Sequence, residues 1–417
     1  MRKLGGVVTH MQQSLTDEQL LKLSSVSYMI GSTDSINDML NVSVKEPFSE
    51  DVVLFLSELS KKIMADKEAK AFPDVITLGF WLRKSSVMSL KERYCNNDEE
   101  VRVGRGITFH IAPSNVAVNY AYSLFSSLIM GNANIVRIPS KDFPQVSIIN
   151  RLILSTLENH REIEKYICLV RYGRDKLVND IFSSIADVRV VWGGDATIAE
   201  LRQSPMKPRA TEITFADRYS LAVIDSDVFL AESNQINLIE GFYNDTFLSD
   251  QNACTSPRVV VWTGNQITKA KDRFWSMLHE MAEKKYEFQS IMGVNKLTSS
   301  YLAAVFLPCV KIVRGEDNLI IRLAVDTLDE KIMDLRDNSG YFFEYDCKDI
   351  LELKTICNDT RIQTIGYIGN NELLKKLAKS GIKGIDRIVP VGKTMDFDMI
   401  WDGYDLSERL SRRIFIN

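Results

Sequence analysis

Apolar and polar positions alternate in blocks through the middle of the chain. Four apolar runs lie at 107–112, 133–138, 167–170 and 188–192. Segments of roughly ten to twenty residues with a helical pattern separate them. Strands that alternate with helices build βαβ units, so residues 102–213 are predicted to form a doubly wound parallel sheet. The residues before about position 100 are predicted to be mostly helical, with helix starts at Asp17–Leu20 and Ser49–Val52.

A second α/β segment is predicted to begin at Leu221–Asp225, after a change of pattern around Ala210. Further strands are predicted at 303–313, 319–325 and 363–368, and helices at 234–248, 266–287 and 371–380. Trp401–Asp405 is predicted to form a turn, followed by an amphipathic helix from Leu406 to Ile414. The chain is therefore expected to hold two α/β domains.

The composition is typical of a globular protein and excludes some partners. Of 417 residues, 45% are hydrophobic and 25% are charged, and the net charge of −4 gives no basic footprint for nucleic acid. The uncharged stretch Ile107–Val136 is long enough for a membrane helix, but Pro113, Asn115 and Gly131 interrupt it. No membrane span is therefore predicted. The residues after Met1 lack the apolar core of a secretory signal.

The cysteines and histidines do not form a metal-binding pattern. The six cysteines are scattered with no Cys-x-x-Cys pair, and the four histidines have no ligand-like spacing. This pattern indicates a reducing, cytoplasmic setting and argues against a disulfide framework or a metal centre. No metal site is therefore predicted.

One cysteine, Cys254, lies in the polar segment Asp250–Pro257, directly before the apolar run Arg258–Trp262. A loop held at the mouth of a strand is where a nucleophile can meet its substrate. A free cysteine is also commonly a small buried hydrophobic residue, so the position alone leaves both interpretations open.

Two loops after predicted strands have the character of ligand-binding loops. Asn115, in the Pro-Ser-Asn turn, is predicted to open the next helix, either as an ordinary N-cap or with its amide pointing into the crevice. The run 188–192 ends in Gly193, Gly194 and Asp195, and glycines there let the backbone approach a ligand closely. No G-x-G-x-x-G motif is present, so a dinucleotide would be held by a different loop arrangement.

Several of these segments together resemble the long-chain acyl-CoA reductase family, a branch of the aldehyde dehydrogenase superfamily that includes the reductase subunits of bacterial luminescence fatty-acid reductase complexes. The segments are Phe109–Lys141, Asp250–Pro257, Arg387–Gly392, Asp396–Asp398 and Trp401–Asp405. The resemblance covers most of the chain from about Val101 onwards. It implies an aldehyde-dehydrogenase-like α/β fold: a doubly wound cofactor-binding domain over 1–213, an α/β catalytic domain over 214–390, and a small oligomerisation element. The segment 391–417 would pack back on the cofactor domain or on an oligomer partner.

The resemblance also implies roles for individual residues. Cys254 matches the nucleophile, and Asn115 matches the amide of the oxyanion hole. The residues that match the loops touching the dinucleotide are Pro113, Ser114, Ser140, Lys141, Gly194 and Asp195. A cation near the adenosine ribose favours a 2′-phosphate, so Lys141 and Arg137 favour NADPH, although either can also be a solvated surface charge.

The chain departs from the oxidising aldehyde dehydrogenases at the water-activating glutamate. That position would fall near Thr214, which cannot act as the base, and Glu212 is displaced by two residues. Hydrolysis of a thioester intermediate needs a general base on water, whereas reduction requires that water stay away until hydride arrives. The expected function is therefore NADPH-dependent reduction of an acyl-CoA or acyl-protein thioester to a fatty aldehyde through an acyl-Cys254 intermediate.

Three alternatives remain open at this stage. One is an NAD(P)-dependent aldehyde dehydrogenase working in the oxidative direction, and another is an acyltransferase that uses Cys254 without redox chemistry. The third is a catalytically silent scaffold subunit. The expected partners are acyl-CoA, or an acyl-carrying protein of the acyl-protein synthetase type, and further copies of the chain in a homo-oligomer.

Overall fold

The computed structural model describes residues 13–95, 100–315 and 317–416. The chain divides into two compact units, of which the first contains the residues up to Phe215 together with those from Asp405 onwards. The second unit is Ala216–Tyr404. Residues 391–404 lie with the second unit.

The first unit begins with a helical region and continues as alternating strands and helices. Its helices are α1 (Asp17–Leu23), α2 (Thr33–Met39), α3 (Glu50–Ala65), α4 (Pro73–Trp81), α5 (Lys84–Tyr94), α6 (Asn119–Ile129), α7 (Pro144–Leu157), α8 (Arg161–Glu164), α9 (Lys176–Ile185) and α10 (Asp195–Leu201). Its strands are β1 (Ser27–Ile30), β2 (Val101–Gly104), β3 (Ile107–Ile111), β4 (Ala133–Arg137), β5 (Ile167–Arg171), β6 (Val188–Trp192) and β7 (Thr211–Phe215). The predicted helix starts at Asp17 and Ser49 are confirmed by α1 and α3.

The main sheet of the first unit has the strand order β1-β5-β4-β3-β6-β7. All neighbours are parallel except β1, which pairs antiparallel with β5 at one edge. The four apolar runs form β3, β4, β5 and β6, which confirms the predicted doubly wound sheet. β3 and β6 are buried along their whole length, as expected for central strands of a parallel sheet that is covered on both faces.

The second unit is also α/β. Its strands are β8 (Tyr219–Asp225), β9 (Pro257–Thr263), β10 (Lys311–Arg314), β11 (Ile321–Val325), β12 (Tyr341–Asp346), β13 (Ile362–Ile368), β14 (Arg387–Pro390), β15 (Ile400–Trp401) and β16 (Tyr404–Asp405). Its helices are α11 (Ser226–Ala231), α12 (Gln235–Thr246), α13 (Ile267–Lys285), α14 (Ser290–Phe306), α15 (Lys354–Cys357) and α16 (Glu372–Ala378). The chain ends in the first unit with α17 (Leu406–Arg409) and β17 (Ser411–Ile414).

The sheet of the second unit has the order β10-β11-β12-β9-β8-β13-β14, and only β10 at its edge runs antiparallel to its neighbour. Successive residues of β8 face opposite clusters of the core. Leu221 and Val223 pack in one cluster, and Ala222 and Ile224 pack in the other. This period of two buries both faces of the sheet beneath helices.

Two predictions of local structure are wrong. The predicted strand 303–313 contains the last four residues of α14, a connection at 307–310 and the start of the strand Lys311–Arg314. A short apolar run fits a helix as well as a strand, and here the run continues a long helix.

The predicted helix Leu406–Ile414 is a single turn, α17, followed by the strand β17. β17 forms because it pairs antiparallel with β2, from Ser411 opposite Gly104 to Ile414 opposite Val101. Pairing with a distant strand overrides the local pattern.

Candidate active site

The residues expected to hold a dinucleotide lie at one edge of the first sheet. Pro113, Ser114 and Asn115 follow β3, Ser140 and Lys141 follow β4, and Gly194 and Asp195 follow β6. The chain runs from β3 through β4 to β5 on one side and then returns to β6 on the other side of β3. Ligands of open α/β sheets bind at such a switch point, outside the carboxyl ends of the strands.

The loops at this edge are open to solvent. Ser114, Asn115, Ser140, Lys141 and Gly194 are all exposed, whereas the strands that lead into them are buried. A Cβ atom built on Gly194 would meet no heavy atom within 4 Å, so the backbone there is accessible to a bound group. These features are compatible with an extended polar ligand that lies across the ends of β3, β4 and β6.

Asn115 does not open the helix as predicted. It lies in a bend after β3, and α6 begins only at Asn119. Residues 116–118 form a turn that leads into the helix, so Asn115 is a loop residue and not the N-cap of α6. Asn115 is exposed in this loop, where its amide is accessible to a bound substrate.

The two cations expected near the ribose have different surroundings. Arg137 is engaged by its own unit, because its guanidinium donates to the carbonyl oxygens of Tyr172 at 3.4 Å and Gly173 at 3.1 Å and lies over the Tyr172 ring. Lys141 is exposed, and its ammonium lies 5.0 Å from the centroid of the Phe143 ring. Of the two, Lys141 is the better placed to bind a phosphate.

A buried polar network lies at the carboxyl ends of β3 and β6. The Ser123 hydroxyl is 2.7 Å from His110 Nδ1 and accepts a hydrogen bond of 3.0 Å from Trp192 Nε1. The other ring nitrogen of His110 is 3.1 Å from Asn134 Oδ1. Burial lowers the pKa of His110 to about 4, so the ring is neutral at pH 7. The network joins β3, β4, α6 and β6, and the sequence alone did not indicate it.

Cys254 lies in the second unit, on the turn that leads into β9. Two successive residues before it, Asp250 and Gln251, have positive φ values of 50° and 59°. This left-handed conformation is uncommon for residues other than glycine and persists only where the surroundings fix it. The turn is therefore held by specific contacts.

The side chain of Gln251 supplies many of these contacts. Its amide nitrogen donates to the carbonyl oxygens of Pro257 at 2.9 Å and Tyr341 at 3.1 Å. Its amide oxygen accepts from the N–H groups of Gly340 at 3.0 Å and Tyr341 at 3.1 Å. The guanidinium of Arg258 also donates to the carbonyl oxygen of Gln251. A buried amide with both ends satisfied ties the cysteine turn to β12.

Cys254 lies near the starts of β8 and β13, where Ser220 contacts its carbonyl oxygen and Gln363 contacts its thiol. Cys254 is half-buried as a residue, and burial of its thiol raises the pKa to about 12. The charge of Asp402 raises the pKa further, whereas the Cys254 N–H, a hydrogen bond from Gln363 and the charge of Arg218 lower it. At pH 7 the thiol is therefore protonated at rest and must lose its proton before it can attack a carbonyl carbon.

Asp402 is the charged group next to this thiol that the sequence analysis did not identify. It is buried and accepts a hydrogen bond from the side-chain amide of Gln363. Burial raises the pKa of Asp402 to about 6, with the charge of Asp386 acting in the same direction and Arg218, Gln363 and Arg387 opposing it. In the sequence, Asp402 was marked by its place in the Trp401–Asp405 segment. In the structure, Asp402 and Gly403 have positive φ, as in a turn.

Glu212, the carboxylate nearest to the expected position of the water-activating base, is bound by two arginines of its own unit. Arg189 donates to it from Nε at 2.9 Å, and Arg202 donates to its other oxygen at 2.8 Å. Burial would raise the pKa of Glu212, but the hydrogen bonds and charges of Arg202 and Arg189 outweigh it and lower the pKa. A carboxylate stabilised in this way is a poor proton acceptor. Thr214, also on β7, has no basic group.

Comparison with known proteins relates most of the chain to one family. The sequence model of the acyl-CoA reductase (LuxC) family matches residues 84–413. A curated relative, the long-chain acyl-protein thioester reductase of Aliivibrio fischeri, is 20% identical over 299 residues. That match covers 69% of this chain but only 58% of the relative, which is less than two thirds of its length.

Solved structures of aldehyde dehydrogenases share the fold. A benzaldehyde dehydrogenase from Corynebacterium glutamicum that is NAD-dependent has a TM-score of 0.61 and 13% identity, with 92% of this chain and 90% of that chain covered. A 1-pyrroline-5-carboxylate dehydrogenase from Thermus with bound NAD has a TM-score of 0.61 and 12% identity, with 96% and 86% covered. The expected aldehyde-dehydrogenase-like fold is therefore confirmed.

The described residues contain neither a membrane-spanning helix nor a metal-binding cluster. Between residues 13 and 416, apart from the short gaps, no helix has the length and apolar character to cross a membrane. In the same part of the chain, histidine, cysteine, aspartate and glutamate side chains do not cluster in a way that could hold a metal ion.

Proposed function

The chain belongs to the acyl-CoA reductase (LuxC) family, and we propose that it reduces an activated long-chain acyl group to a fatty aldehyde with NADPH. The acyl donor would be a CoA thioester or an acyl chain carried on a partner protein. The reaction would pass through a thioester between the acyl group and Cys254. The observation that carries this proposal is a cysteine on a fixed turn in a chain whose Glu212, two residues from the expected position of the water-activating base, is held as an ionised carboxylate by Arg189 and Arg202.

The Cys254 thiol would attack the acyl carbon as it loses its proton, and the CoA or carrier thiol would leave. We propose two donors for the oxyanion of the tetrahedral intermediate: the backbone N–H of Cys254 and the side-chain amide of Asn115. One preorganised donor of this kind stabilises the transition state by about 3–4 kcal/mol. The acyl-Cys254 thioester would then persist, because Glu212 is bound to Arg189 and Arg202 and does not activate water.

The residues at the switch point of the first sheet fit a nicotinamide dinucleotide. The loops of Pro113, Ser114, Ser140 and Gly194 are exposed side by side at the carboxyl ends of β3, β4 and β6. The open space at Gly194 leaves room for close approach of a phosphate. When bound, the reduced cofactor would supply hydride to the acyl carbon. We assign the 2′-phosphate to Lys141, and the charge of Asp195, the first residue of α10, would have to turn away from the phosphate.

Labelled acyl-CoA tests the proposal directly. We expect one acyl group per chain to bind covalently at Cys254 and to remain there until NADPH is added, when it leaves as aldehyde. The Cys254→Ala variant should take up no label, and Cys309→Ser, which alters an exposed cysteine, should behave as the wild type. Rapid release of free acid without NADPH would contradict the proposal and favour hydrolytic, oxidative-type chemistry.

Two further outcomes separate the remaining alternatives. Transfer of the label to an amine or alcohol, in a protein for which fluorescence shows no binding of NADPH, would identify an acyltransferase. Full turnover by Cys254→Ala, measured in the presence of an acyl-carrying partner protein, would mean that this chain is a scaffold and that catalysis lies elsewhere.

A further inference from the structure

Helix α14 (Ser290–Phe306) buries small or polar residues and exposes large apolar ones, which is the opposite of the usual arrangement. The residues that face its own unit are small or polar and recur at helical spacing. They are Gly293, Lys296, Ser300 and Ala303. The residues that face solvent are large and apolar. They are Ile291, Val294, Leu297, Tyr301, Leu302, Val305 and Phe306, with exposed fractions from 38% to 76%. We refer to these seven side chains as the outer face of α14.

The neighbouring helix α13 (Ile267–Lys285) shows the ordinary arrangement in the same unit. Its buried residues include Phe274, Trp275 and Leu278, which pack in the core. Its exposed positions are polar or charged: Thr268, Lys269, Asp272, Arg273, Ser276, Glu280, Glu283, Lys284 and Lys285. A soluble helix ordinarily has this pattern, with its apolar stripe toward the core. The outer face of α14 therefore differs in composition from the exposed face of α13.

The one charged residue of α14 points inward. The ammonium group of Lys296 donates to the carbonyl oxygens of Leu319 at 3.0 Å and Ser339 at 2.7 Å, and it lies 4.6 Å from the centroid of the Phe288 ring. Lys296 has no exposed surface. The helix contains no Asp, Glu or Arg, so its outer face carries no charge.

The size of the outer face matches a protein interface. Seven large apolar side chains at these exposures leave on the order of 700 Å² open to solvent, more than the ~300–600 Å² of the largest patch on a typical monomer. A standard interface covers about 800 Å² on each partner. The exposed face of a single helix suits packing against another helix better than enclosing a small ligand.

We propose that α14 pairs with α14 of a second copy of this chain across a two-fold axis. In such an interface each patch meets its own copy, so any charge on it would face the same charge. The outer face satisfies this condition because Lys296 is directed inward. The middle of the face lies at Thr298, an exposed residue whose hydroxyl donates to the carbonyl oxygen of Val294. A small side chain at the axis lets the two helices approach closely.

Charge substitution on the outer face tests the pairing in the full-length chain. We expect the double variant Val294→Glu/Val305→Glu to raise the dissociation constant of the dimer at least ~100-fold, as judged by sedimentation velocity over a range of protein concentrations. The matched control is Leu154→Glu/Leu373→Glu, which places the same charges on exposed leucines of α7 and α16. The control should associate as the wild type does. Circular dichroism of each variant checks that the fold is retained.

Cross-linking locates the interface on the helix. In a Cys309→Ser background, which removes the exposed cysteine next to α14, Thr298→Cys should form a disulfide-linked dimer on mild oxidation. The link should disappear when Val294→Glu/Val305→Glu is added. Dimers that never cross-link through position 298, or a dissociation constant that Val294→Glu/Val305→Glu leaves unchanged, would overturn the proposal.

Two other occupants of the outer face are distinguished by the same variants. A wild-type chain that stays monomeric at every concentration but co-sediments with phosphatidylcholine vesicles would overturn the proposal in favour of a lipid surface. A monomeric chain whose Val294→Glu/Val305→Glu variant loses only its affinity for a long-chain acyl-CoA would overturn it in favour of the acyl group.

Discussion

The hydroxyl of Ser220 donates a hydrogen bond of 2.8 Å to the backbone carbonyl oxygen of Cys254. The same hydroxyl oxygen accepts a hydrogen bond of 3.2 Å from the N–H of Thr364. Ser220 is completely buried near the start of β8, and Thr364 lies near the start of β13. One side chain therefore connects two strands to the cysteine turn, and it fixes the backbone from which the thiol projects.

Replacing Ser220 with alanine should disturb this turn more than the loss of one hydrogen bond suggests. It leaves a carbonyl and an N–H without their partner, and an unsatisfied buried group costs about 1–3 kcal/mol. We expect Ser220→Ala to lower the rate of Cys254 acylation more than it raises the KM for acyl-CoA, as measured by single-turnover labelling. The variant Ser220→Thr keeps the hydroxyl and should recover part of the rate. Equal rates for Ser220→Ala and the wild type would show that the turn is held without this contact.

Removing the charge of Asp402 should make Cys254 more reactive. Above pH 6 the Asp402 carboxylate is largely ionised, and its negative charge disfavours the neighbouring thiolate. We expect Asp402→Asn to lower the pKa of Cys254 and to increase its alkylation by iodoacetamide at pH 8 roughly three- to tenfold, since one pKa unit is a factor of ten. Mass spectrometry of the Cys254 peptide measures this rate.

The pH dependence of that effect provides the control. Below about pH 6 Asp402 is already protonated in the wild type, so the ratio of the two alkylation rates should fall toward one. Asp326→Asn, which removes an exposed carboxylate from the same unit, should leave the rate unchanged. A slower alkylation in Asp402→Asn at pH 8 would contradict an electrostatic role and would indicate that the carboxylate takes the thiol proton.

Glu212 should stabilise the fold and have no part in deacylation. Arg189 is almost completely buried, and removing the partner of a buried charge is costly. We expect Glu212→Gln to lower the free energy of unfolding by about 1–3 kcal/mol, less than for an isolated pair because Arg189 also donates to the carbonyl oxygen of Leu201. The rate at which acyl-Cys254 is hydrolysed should not change. A marked fall in that rate would show that Glu212 activates water after all.

The lowered pKa of Glu212 also sets the sign of its pH dependence. The folded state favours the ionised carboxylate, so its stabilisation is present above the ordinary glutamate pKa of about 4.3 and is lost as the pH falls through the lower folded value. Acid unfolding followed by fluorescence should therefore be shallower in Glu212→Gln than in the wild type. Glu200→Gln, at an exposed position of α10, should unfold as the wild type does.

Lys141 should discriminate between the two nicotinamide dinucleotides. Its exposed ammonium follows β4 at the switch point, where a cation favours the 2′-phosphate of NADPH. We expect Lys141→Ala to raise the KM for NADPH about tenfold, which is 1.4 kcal/mol, with little change for NADH. Arg137→Ala should instead lower the thermal stability, because Arg137 is bound to the carbonyl oxygens of Tyr172 and Gly173. Equal losses for both nucleotides in Lys141→Ala would remove the 2′-phosphate assignment.

The sequence predicted the sheets well because their central strands are buried on both faces. β3 and β6 are mostly apolar, with Thr108, His110 and Arg189 as their polar residues, and loop residues such as Gly194 follow at their carboxyl ends. Such runs leave little freedom in assigning a strand. The edge of the first sheet that carries the proposed dinucleotide-binding loops could therefore be located from the sequence alone.

The sequence did not predict the features that depend on distant pairing. Ser411–Ile414 forms a strand only because Val101–Gly104 lies beside it. Ser220, Gln363 and Asp402 surround Cys254, although more than a hundred residues separate Gln363 from Cys254 in the chain. No local spacing records such a juxtaposition, since it arises from strand order in the folded sheet.

Two glycines in helices of the second unit should respond oppositely to substitution by alanine. In a helix interior, alanine is favoured over glycine by about 1 kcal/mol. At Gly241, on α12, an added Cβ would lie 3.0 Å from the Cα of Gly392 and 3.3 Å from the carbonyl oxygen of Val391. These are backbone atoms, and the N–H of Gly392 is fixed by a hydrogen bond of 2.6 Å to Asp245, so they cannot give way.

At Gly293, on α14, the added Cβ would come no closer than 3.4 Å to the end of the Phe288 ring. That is an ordinary contact, so only the gain in helix propensity remains. We therefore expect Gly293→Ala to stabilise the protein by about 0.5–1 kcal/mol, and Gly241→Ala to destabilise it by about 1–3 kcal/mol, because overpacking against rigid neighbours outweighs propensity. Thermal unfolding of both variants beside the wild type decides the point. A stabilised Gly241→Ala would mean that α12 can move away from the Val391–Gly392 turn at little cost.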